Sequence, residues 1–494
     1  MDAPSATPGG AAGFGRLARH GALYVGGMLL GRLLSLVMVP VYTPHLTPSA
    51  YGLLELLDTT DQVLVVVSSA AIADAVLRHW NDAPTPRARA GVESTAVLSL
   101  WVAGAFVALL GAAFAPALSA FLLRDGQHAL LLRLTFLSVT FQGVVEVPLS
   151  VLRGADRPAQ VVAWTLGRSA LGFALNIAFV VGLRLGVLGM VLSNLLASAV
   201  FAVSLSVLTL RRTGLGFDAA LFRAMLVFGW PLVPGSLAMI ALQHGRSYVL
   251  NALCPAAMVG LWGLGLRIGS LVSQVVGGPA RDAWGSQMYA LWNPDTGPAR
   301  YARGVTLLFG LYLWAALCLS AVAREVIALV AHADYADAAW VVPGVALSCV
   351  LRELGELFRR GLVLGRNTRP IAWVEPLLAL FDLGLSWLFV SRWGLLGAAL
   401  AAPVTFAVYA GALHFALRRV LPVRFEYGRL VRLGAVAAGF ALVALTQHSG
   451  HAGLDLGWKL SLVAVFPLVA GWWAFDRATL VGLWGTLRRR AAGW

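Results

Sequence analysis

The chain has 494 residues, of which 59% are hydrophobic and only 12% charged, and its mean hydropathy is +0.78. A soluble globular domain carries about 25% charged residues. Half that fraction leaves too few charges to coat a water-facing surface, which excludes a soluble enzyme, a disordered chain and a nucleic-acid-binding domain and leaves a polytopic membrane protein.

Residues 1–20 open rich in Pro, Ala and Gly without the basic start of a cleaved signal, and read as a flexible cytoplasmic tail. Beyond them, cutting the chain at charged, Pro-rich and Gly-rich breaks gives apolar segments near 21–44, 52–77, 94–122, 130–152, 159–183, 186–210 and 222–248. Seven more follow near 257–279, 303–323, 338–358, 370–391, 394–417, 430–447 and 458–476. Each is close to the ~20 residues that a helix needs to cross a bilayer. No connection is long enough to hold a soluble domain, and the longest, 280–302, suits a short interfacial helix. The expected fold is an all-α polytopic membrane protein of about fourteen transmembrane helices in two pseudo-symmetric six-helix lobes plus a terminal helix pair. The lobes are 21–210 and 222–418, joined by a cytoplasmic linker at 211–221; 419–494 carries the terminal pair and a basic cytoplasmic C-terminus.

The net charge of +14 comes from 37 basic residues against 23 acidic ones, and Lys459 is the one Lys among them. With the N-terminus cytoplasmic and the loops alternating, 26 basic residues fall on the cytoplasmic side and 6 on the other. That asymmetry obeys the positive-inside rule and puts both termini in the cytoplasm. Five arginines are left inside spans: Arg32, Arg168, Arg246, Arg267 and Arg352. The halves agree in layout more than in letters, with Tyr51-Gly52-Leu53 and Val259-Gly260-Leu261 each opening a second span. Six helices per half give parallel repeats, with a cavity expected between them. Cys254, Cys318 and Cys349 are scattered and read as small apolar residues. Pro40, Pro231 and Pro234 fall inside spans and predict bends in the first and seventh helices. His448 and His451, alone in the last external loop, give no metal signal.

The stretch from Gly31-Arg32-Leu33 through Val39-Pro40-Val41, then Leu46-Thr47-Pro48-Ser49-Ala50-Tyr51-Gly52-Leu53, resembles the opening of Wzx-type polysaccharide flippases of the multidrug/oligosaccharidyl-lipid/polysaccharide (MOP) exporter superfamily. Phe228-Gly229-Trp230-Pro231-Leu232-Val233-Pro234 resembles the family's start to the seventh helix, and Val259-Gly260-Leu261-Trp262 with Arg267 its following segment. One departure stands out. Where the family often has an Asp-Arg pair late in the seventh helix, this chain has Gly245-Arg246.

The resemblance implies transport of an undecaprenyl-diphosphate oligosaccharide from the cytoplasmic to the outer leaflet of a prokaryotic inner membrane, by alternating access. A charge at the bilayer centre costs roughly 2.5–3.5 kcal/mol on insertion scales, so it needs a partner or a task. Arg offers a planar fork of donors matched to phosphate oxygens and stays charged when desolvated. Arg32, Arg246 and Arg267 are the expected diphosphate ligands, with Arg168 a weaker candidate that could instead reach Glu146. Arg352, Glu356 and Arg360 are spaced for an intrahelical ion-pair ladder. Buried acids form a second set: Glu55, Asp58 and Asp61 on the second helix, and Glu375 and Asp382 on one face of the eleventh. Asp58, Asp61, Glu375 and Asp382 are candidates for proton or sodium coupling; otherwise they balance the arginines. Neither a bound cofactor nor a metal is expected. Expected partners are the lipid-linked saccharide, membrane lipids, a polysaccharide polymerase and glycosyltransferases, and not nucleic acid.

Three other readings compete. A lipid II flippase shares the diphosphate chemistry. A drug or cation antiporter of the same superfamily would want an acidic, aromatic cavity, which the buried arginines oppose. A membrane polymerase or lipid-dependent glycosyltransferase would need a large external loop or an acidic pair in an early one, and the loop near 43–50 has no acid.

Overall fold

A computed structural model describes residues 37–290, 295–446 and 452–474, together with 26, 27, 30, 31, 34, 292 and 293. All regular structure among them is helical. The chain packs as two compact units: one comprises Leu53–Ile240 with the residues up to Leu46, the other Ala241–Trp494 with Thr47–Gly52.

In the first unit, α1 (Pro48–Val65, its first turn counted with the second unit) passes through a π-helical turn at Val66–Ala70 into α2 (Ala71–Asp82). There follow α3 (Pro86–Leu122), α4 (Ala129–Gly154), α5 (Pro158–Asn176), α6 (Gly186–Thr213) and α7 (Ala219–Gly229). The starts are written in the sequence. Thr85 caps α3 by accepting from the Ala88 amide, ahead of Pro86, and Asp218 caps α7 by accepting from the amides of Ala220 and Leu221. The charge-rich segment 211–221 lies against α3, where Ser94 donates to the Gly216 carbonyl and the Asp218 amide to Thr95. Val76, Ala96, Val97, Val144 and Val147 are fully buried at the centre of this unit. On α3, Val102, Phe106 and Leu109 point outward and are more than half exposed. They recur at helical spacing as one apolar stripe, the outer face a bilayer requires.

The second unit contains most of α8 (Val233–Leu253), then α9 (Ala256–Gly269), α10 (Gly278–Ala290), α11 (Gly297–Ala321), α12 (Ala323–Val330) and α13 (Val341–Leu364). It ends with α14 (Arg369–Arg418), α15 (Tyr427–Thr446) and α16 (Ala452–Ala474). α10 supplies the helix expected near 280–302. The bend expected at Pro231 is a 3-10 turn, Trp230–Leu232, that separates α7 from α8.

α14 holds 50 residues, too many for one crossing, and Gly394 breaks it with φ 54° and ψ −127°. A side chain would be strained there; glycine is not. Thr405 donates to Asp382, 23 positions earlier, at 2.5 Å. A straight helix would separate those residues by roughly 34 Å. α14 is therefore a hairpin of two helices reversing at Gly394, which is why the sequence divides there into 370–391 and 394–417.

Ten helices among the described residues are long and apolar enough to cross a membrane, and the protein is a multi-pass membrane protein. Ten differs from the expected fourteen for identifiable reasons. The first expected span, 21–44, lies partly outside the described residues, and His448 and His451 lie outside them. The hairpin α14 enters as one helix. The segment 52–77 is interrupted by the Val66–Ala70 turn, and α13 carries Arg352, Glu353, Glu356, Arg359 and Arg360. π-helical turns at Val66–Ala70, Ile177–Gly182 and Val272–Gly277 leave no mark in the hydropathy pattern.

Candidate functional site

In the second unit the charges gather on α8, α9, α10, α13 and α14. Arg246, on α8, is 2% exposed, and Asp382, on the first arm of α14, is wholly buried. Arg246 Nη2 donates to Asp382 Oδ1, and Thr405, on the second arm, donates to the same oxygen. The acid that Gly245 lacks is thus supplied from α14. A Cβ at Gly245 would come within 3.0 Å of Leu383, so the small residue lets the two helices close on the ion pair. Sequence spacing could not pair residues 136 positions apart.

Arg267, on α9, is half-buried, and its Nη1 donates to the Tyr51 hydroxyl at 2.9 Å. The Tyr51 ring meets Tyr335 edge-on at 5.8 Å. Tyr335 lies in the short 3-10 segment Ala333–Trp340, where burial, with the Tyr51 phenol beside it, pushes its hydroxyl well above the usual range and keeps it neutral. Two glycines hold this corner closed. A Cβ at Gly52 would lie 2.2 Å from the Ala256 carbonyl oxygen, and one at Gly260 would lie 1.9 Å from that of Pro48. The glycines matched as repeat-related in the sequence are packed backbone to backbone.

The ladder expected along α13 does not form. Arg281, from α10, reaches Glu353 at 2.7 Å, and Arg352 approaches the same carboxylate at 3.5 Å. Arg360 binds Asp282 and the Arg281 carbonyl, while Glu356 accepts from Tyr409 at 2.9 Å and faces Arg359 at 3.7 Å. Packing of α10 and α14 on α13 offers nearer partners than the next turn of the same helix. Glu353, 1% exposed, is the residue the sequence reading missed, because its cation comes from another element. Glu375 is buried and pairs with Arg359 at 3.2 Å. Glu375 and Asp382 do share a buried face of α14, each against its own arginine. Lys459, 3% exposed, meets Glu325 of α12 at 2.5 Å.

The first unit holds its acid differently. Gln142 Nε2, on α4, donates to both carboxylate oxygens of Asp61, at 2.9 and 3.0 Å, and to Ser138 at 3.1 Å. Arg168, on α5, is close enough to act on Asp61 electrostatically. It is not the partner of Glu146, which Arg153 takes at 2.8 Å from the same helix. Asp58 corrects the buried-acid reading: it lies on the exposed side of α1, and Glu55 is half-buried. Asp61, half-buried, is held by the Gln142 amide of α4. Arg32 lies outside the described residues. The site candidates therefore fall into separate local groupings: Arg246 with Asp382, Arg359 with Glu375, Arg267 with Tyr51, and Asp61 with Gln142 and Arg168.

The sequence profile of a family described as polysaccharide biosynthesis protein matches residues 17–284. No curated protein matches the chain in sequence. Among solved structures, a lipid II flippase, MurJ, in an inward closed conformation is similar at a TM-score of 0.74 and 12% identity, covering 91% of this chain and 98% of that one. A multidrug-resistance MATE family transporter of the MOP superfamily, inward-facing, is similar at 0.65 and 15%, covering 84% and 99%. An outward-facing MATE transporter gives 0.56 and 16%, covering 85% and 96%. At these identities the likeness is one of fold. With the profile match, it bears out the resemblance carried by the L-x-P-x-x-Y-G turn.

Proposed function

Because the chain belongs to the polysaccharide biosynthesis protein family, we propose that it flips an undecaprenyl-diphosphate oligosaccharide from the cytoplasmic to the outer leaflet of the inner membrane by alternating access. The profile match is the observation that carries this reading. In it, both termini lie in the cytoplasm, as the 26-to-6 distribution of basic residues favours. Glycosyltransferases supply the substrate and a polymerase consumes it. The task is transport, which needs no resident cofactor.

A diphosphate leaving water needs cations that stay charged. Arg267 suits this best: its guanidinium is half-buried in an apolar helix and donates to the Tyr51 hydroxyl, which orients the fork. Arg32, the other expected ligand, lies outside the described residues. Arg246 is occupied by Asp382 and Arg168 is engaged near Asp61, so both are reassigned from ligand to charge balance. Coupling to a proton gradient is assigned to Asp61, whose carboxylate is held by a neutral amide. The lipid II substrate named for one structural neighbour presents the same diphosphate and would use the same arginines.

The test is export of surface polysaccharide, with membrane levels of the protein measured alongside. Arg267→Ala is expected to lower export at least tenfold at unchanged protein level, and Arg267→Lys to retain part of it. Full export by Arg32→Ala/Arg267→Ala would overturn the diphosphate role. Complementation of a lipid II flippase deficiency, without polysaccharide export, would move the substrate to the peptidoglycan precursor.

A further inference from the structure

In the first unit, α6 breaks its own surface pattern at one residue. Leu196, Val200, Val203 and Val207 are exposed and recur at helical spacing, as a lipid-facing stripe should. Asn194 is exposed too, yet it stands on the opposite side of the helix, among the buried Val191, Leu195, Ala197 and Ser198. It lies roughly 12 Å along α6 from Gly186, well inside an apolar helix. A polar side chain at that depth, turned away from the lipid stripe, faces a water-filled opening. α1 is also open to water within the segment 52–77, where Asp58 and Gln62 are one turn apart and both exposed. Hydrogen bonds through α4 join the two helices. Asp61, beside Gln62, accepts from Gln142, and Gln142 and Asn194 both donate to the buried Ser138 hydroxyl.

We propose that Asn194 binds the saccharide: its carboxamide recognises a sugar hydroxyl of the lipid-linked substrate in this opening, an assignment that rests on the flippase reading for its ligand. Asn194 Nδ2 gives one long contact, 3.4 Å, to Ser138, and Asn194 Oδ1 has no hydrogen-bond partner among the described residues. A carboxamide sets a donor beside an acceptor, which complements neighbouring hydroxyls, one accepting and one donating. The groups around it do not suit a phosphate. Ser138 and Gln142 are neutral, Asp61 has Arg168 to balance it, and Asp58 adds a further acid. An uncharged polyhydroxyl group fits where an anion would be repelled. Ser138 is a positioning residue that holds the carboxamide from behind. A site built to hydrogen-bond a hydroxyl discriminates strongly against a ligand that lacks it. Asn194 thus reads the sugar, which differs between substrates, whereas Arg267 reads the diphosphate that they share.

The test compares the affinity of the purified full-length protein for two probes. One is the undecaprenyl-diphosphate oligosaccharide fraction extracted from the cells that make this protein; the other is bare undecaprenyl diphosphate. Wild type is expected to prefer the glycosylated lipid. Asn194→Leu is expected to weaken binding of the glycosylated lipid about five- to tenfold and to leave the bare lipid unchanged. Asn194→Ser, which keeps a hydroxyl in the opening, is expected to lose less, again for the glycosylated lipid alone. Equal affinity of wild type for the two probes overturns the proposal. So does an Asn194→Leu protein that binds both as wild type does, or that loses both equally, which is the mark of a purely structural role. Should Asn194→Leu not be recovered from membranes, Asn194→Ser decides by the same criteria. Arg267→Ala separates the underlying reading: it is expected to weaken both probes. Unchanged binding of bare undecaprenyl diphosphate by Arg267→Ala would remove the diphosphate role of Arg267 and leave the sugar preference of Asn194 to stand or fall on its own measurement.

Discussion

Asp61 and Asp382 are both carboxylates on apolar helices, and the two units satisfy them by opposite means. In the first unit Asp61 is held by the neutral Gln142 amide, itself steadied by Ser138, with Arg168 acting from α5. In the second unit Asp382 is held by a buried guanidinium and a threonine hydroxyl. A carboxylate in an amide cage can gain or lose a proton while its hydrogen bonds rearrange. One bound directly to a buried arginine cannot be neutralised without stranding a positive charge. The first arrangement suits a group that changes state during transport. The second suits a fixed cross-link between helices.

The largest test of that contrast is at Asp382. Asp382→Leu strands the Arg246 guanidinium and is expected to cost about 3–5 kcal/mol, read as a lowered unfolding midpoint and reduced recovery from membranes. Arg246→Leu/Asp382→Leu removes both charges and is expected to recover most of that loss, since a buried pair replaced by apolar side chains is often neutral in cost. A double variant as unstable as the single would mean that the site's other polar groups, Thr405 and Ser386, dominate its stability.

How much of this was legible in the sequence depends on whether the partner lies within reach of a local pattern. The division of α14 was legible because Gly394 and its neighbours break a run of apolar residues. The positions of Arg246, Arg267, Asp61 and Asp382 in apolar segments were legible for the same reason. Their partners were not. Arg246 finds Asp382 through the packing of α8 on α14, and Glu353 finds Arg281 through the packing of α10 on α13. The i,i+4 spacing of Arg352, Glu356 and Arg360 was a real pattern that tertiary contacts overrode. The exposure of Asp58 was hidden because three acids at i, i+3 and i+6 do not share one narrow face of a helix.

An intermediate effect is expected at Gln142. Gln142→Leu leaves Asp61 without its two amide contacts, and the cost is about 1–3 kcal/mol for an under-satisfied polar group. Denaturation in detergent measures it. Asp61→Asn, which keeps a hydrogen-bonding side chain, is expected to cost less stability while making export insensitive to collapse of the proton gradient. If Asp61→Asn leaves that dependence unchanged, the carboxylate is there for Arg168, and the two units use their buried acids in the same way after all.

The smallest effect sharpens the picture of the cage itself. Ser138 accepts from Gln142 at 3.1 Å and, more weakly, from Asn194 at 3.4 Å. Its hydroxyl thus orients the amide that holds Asp61 without touching the carboxylate. Ser138→Ala removes that support but leaves both Gln142 contacts to Asp61 available, so about 0.5–1 kcal/mol is expected. The double variant Ser138→Ala/Gln142→Leu should then cost little more than Gln142→Leu alone, because the serine acts through the glutamine. Costs that simply add would show that Ser138 stabilises the helix packing around Asn194 independently, and that the cage around Asp61 is built from Gln142 alone.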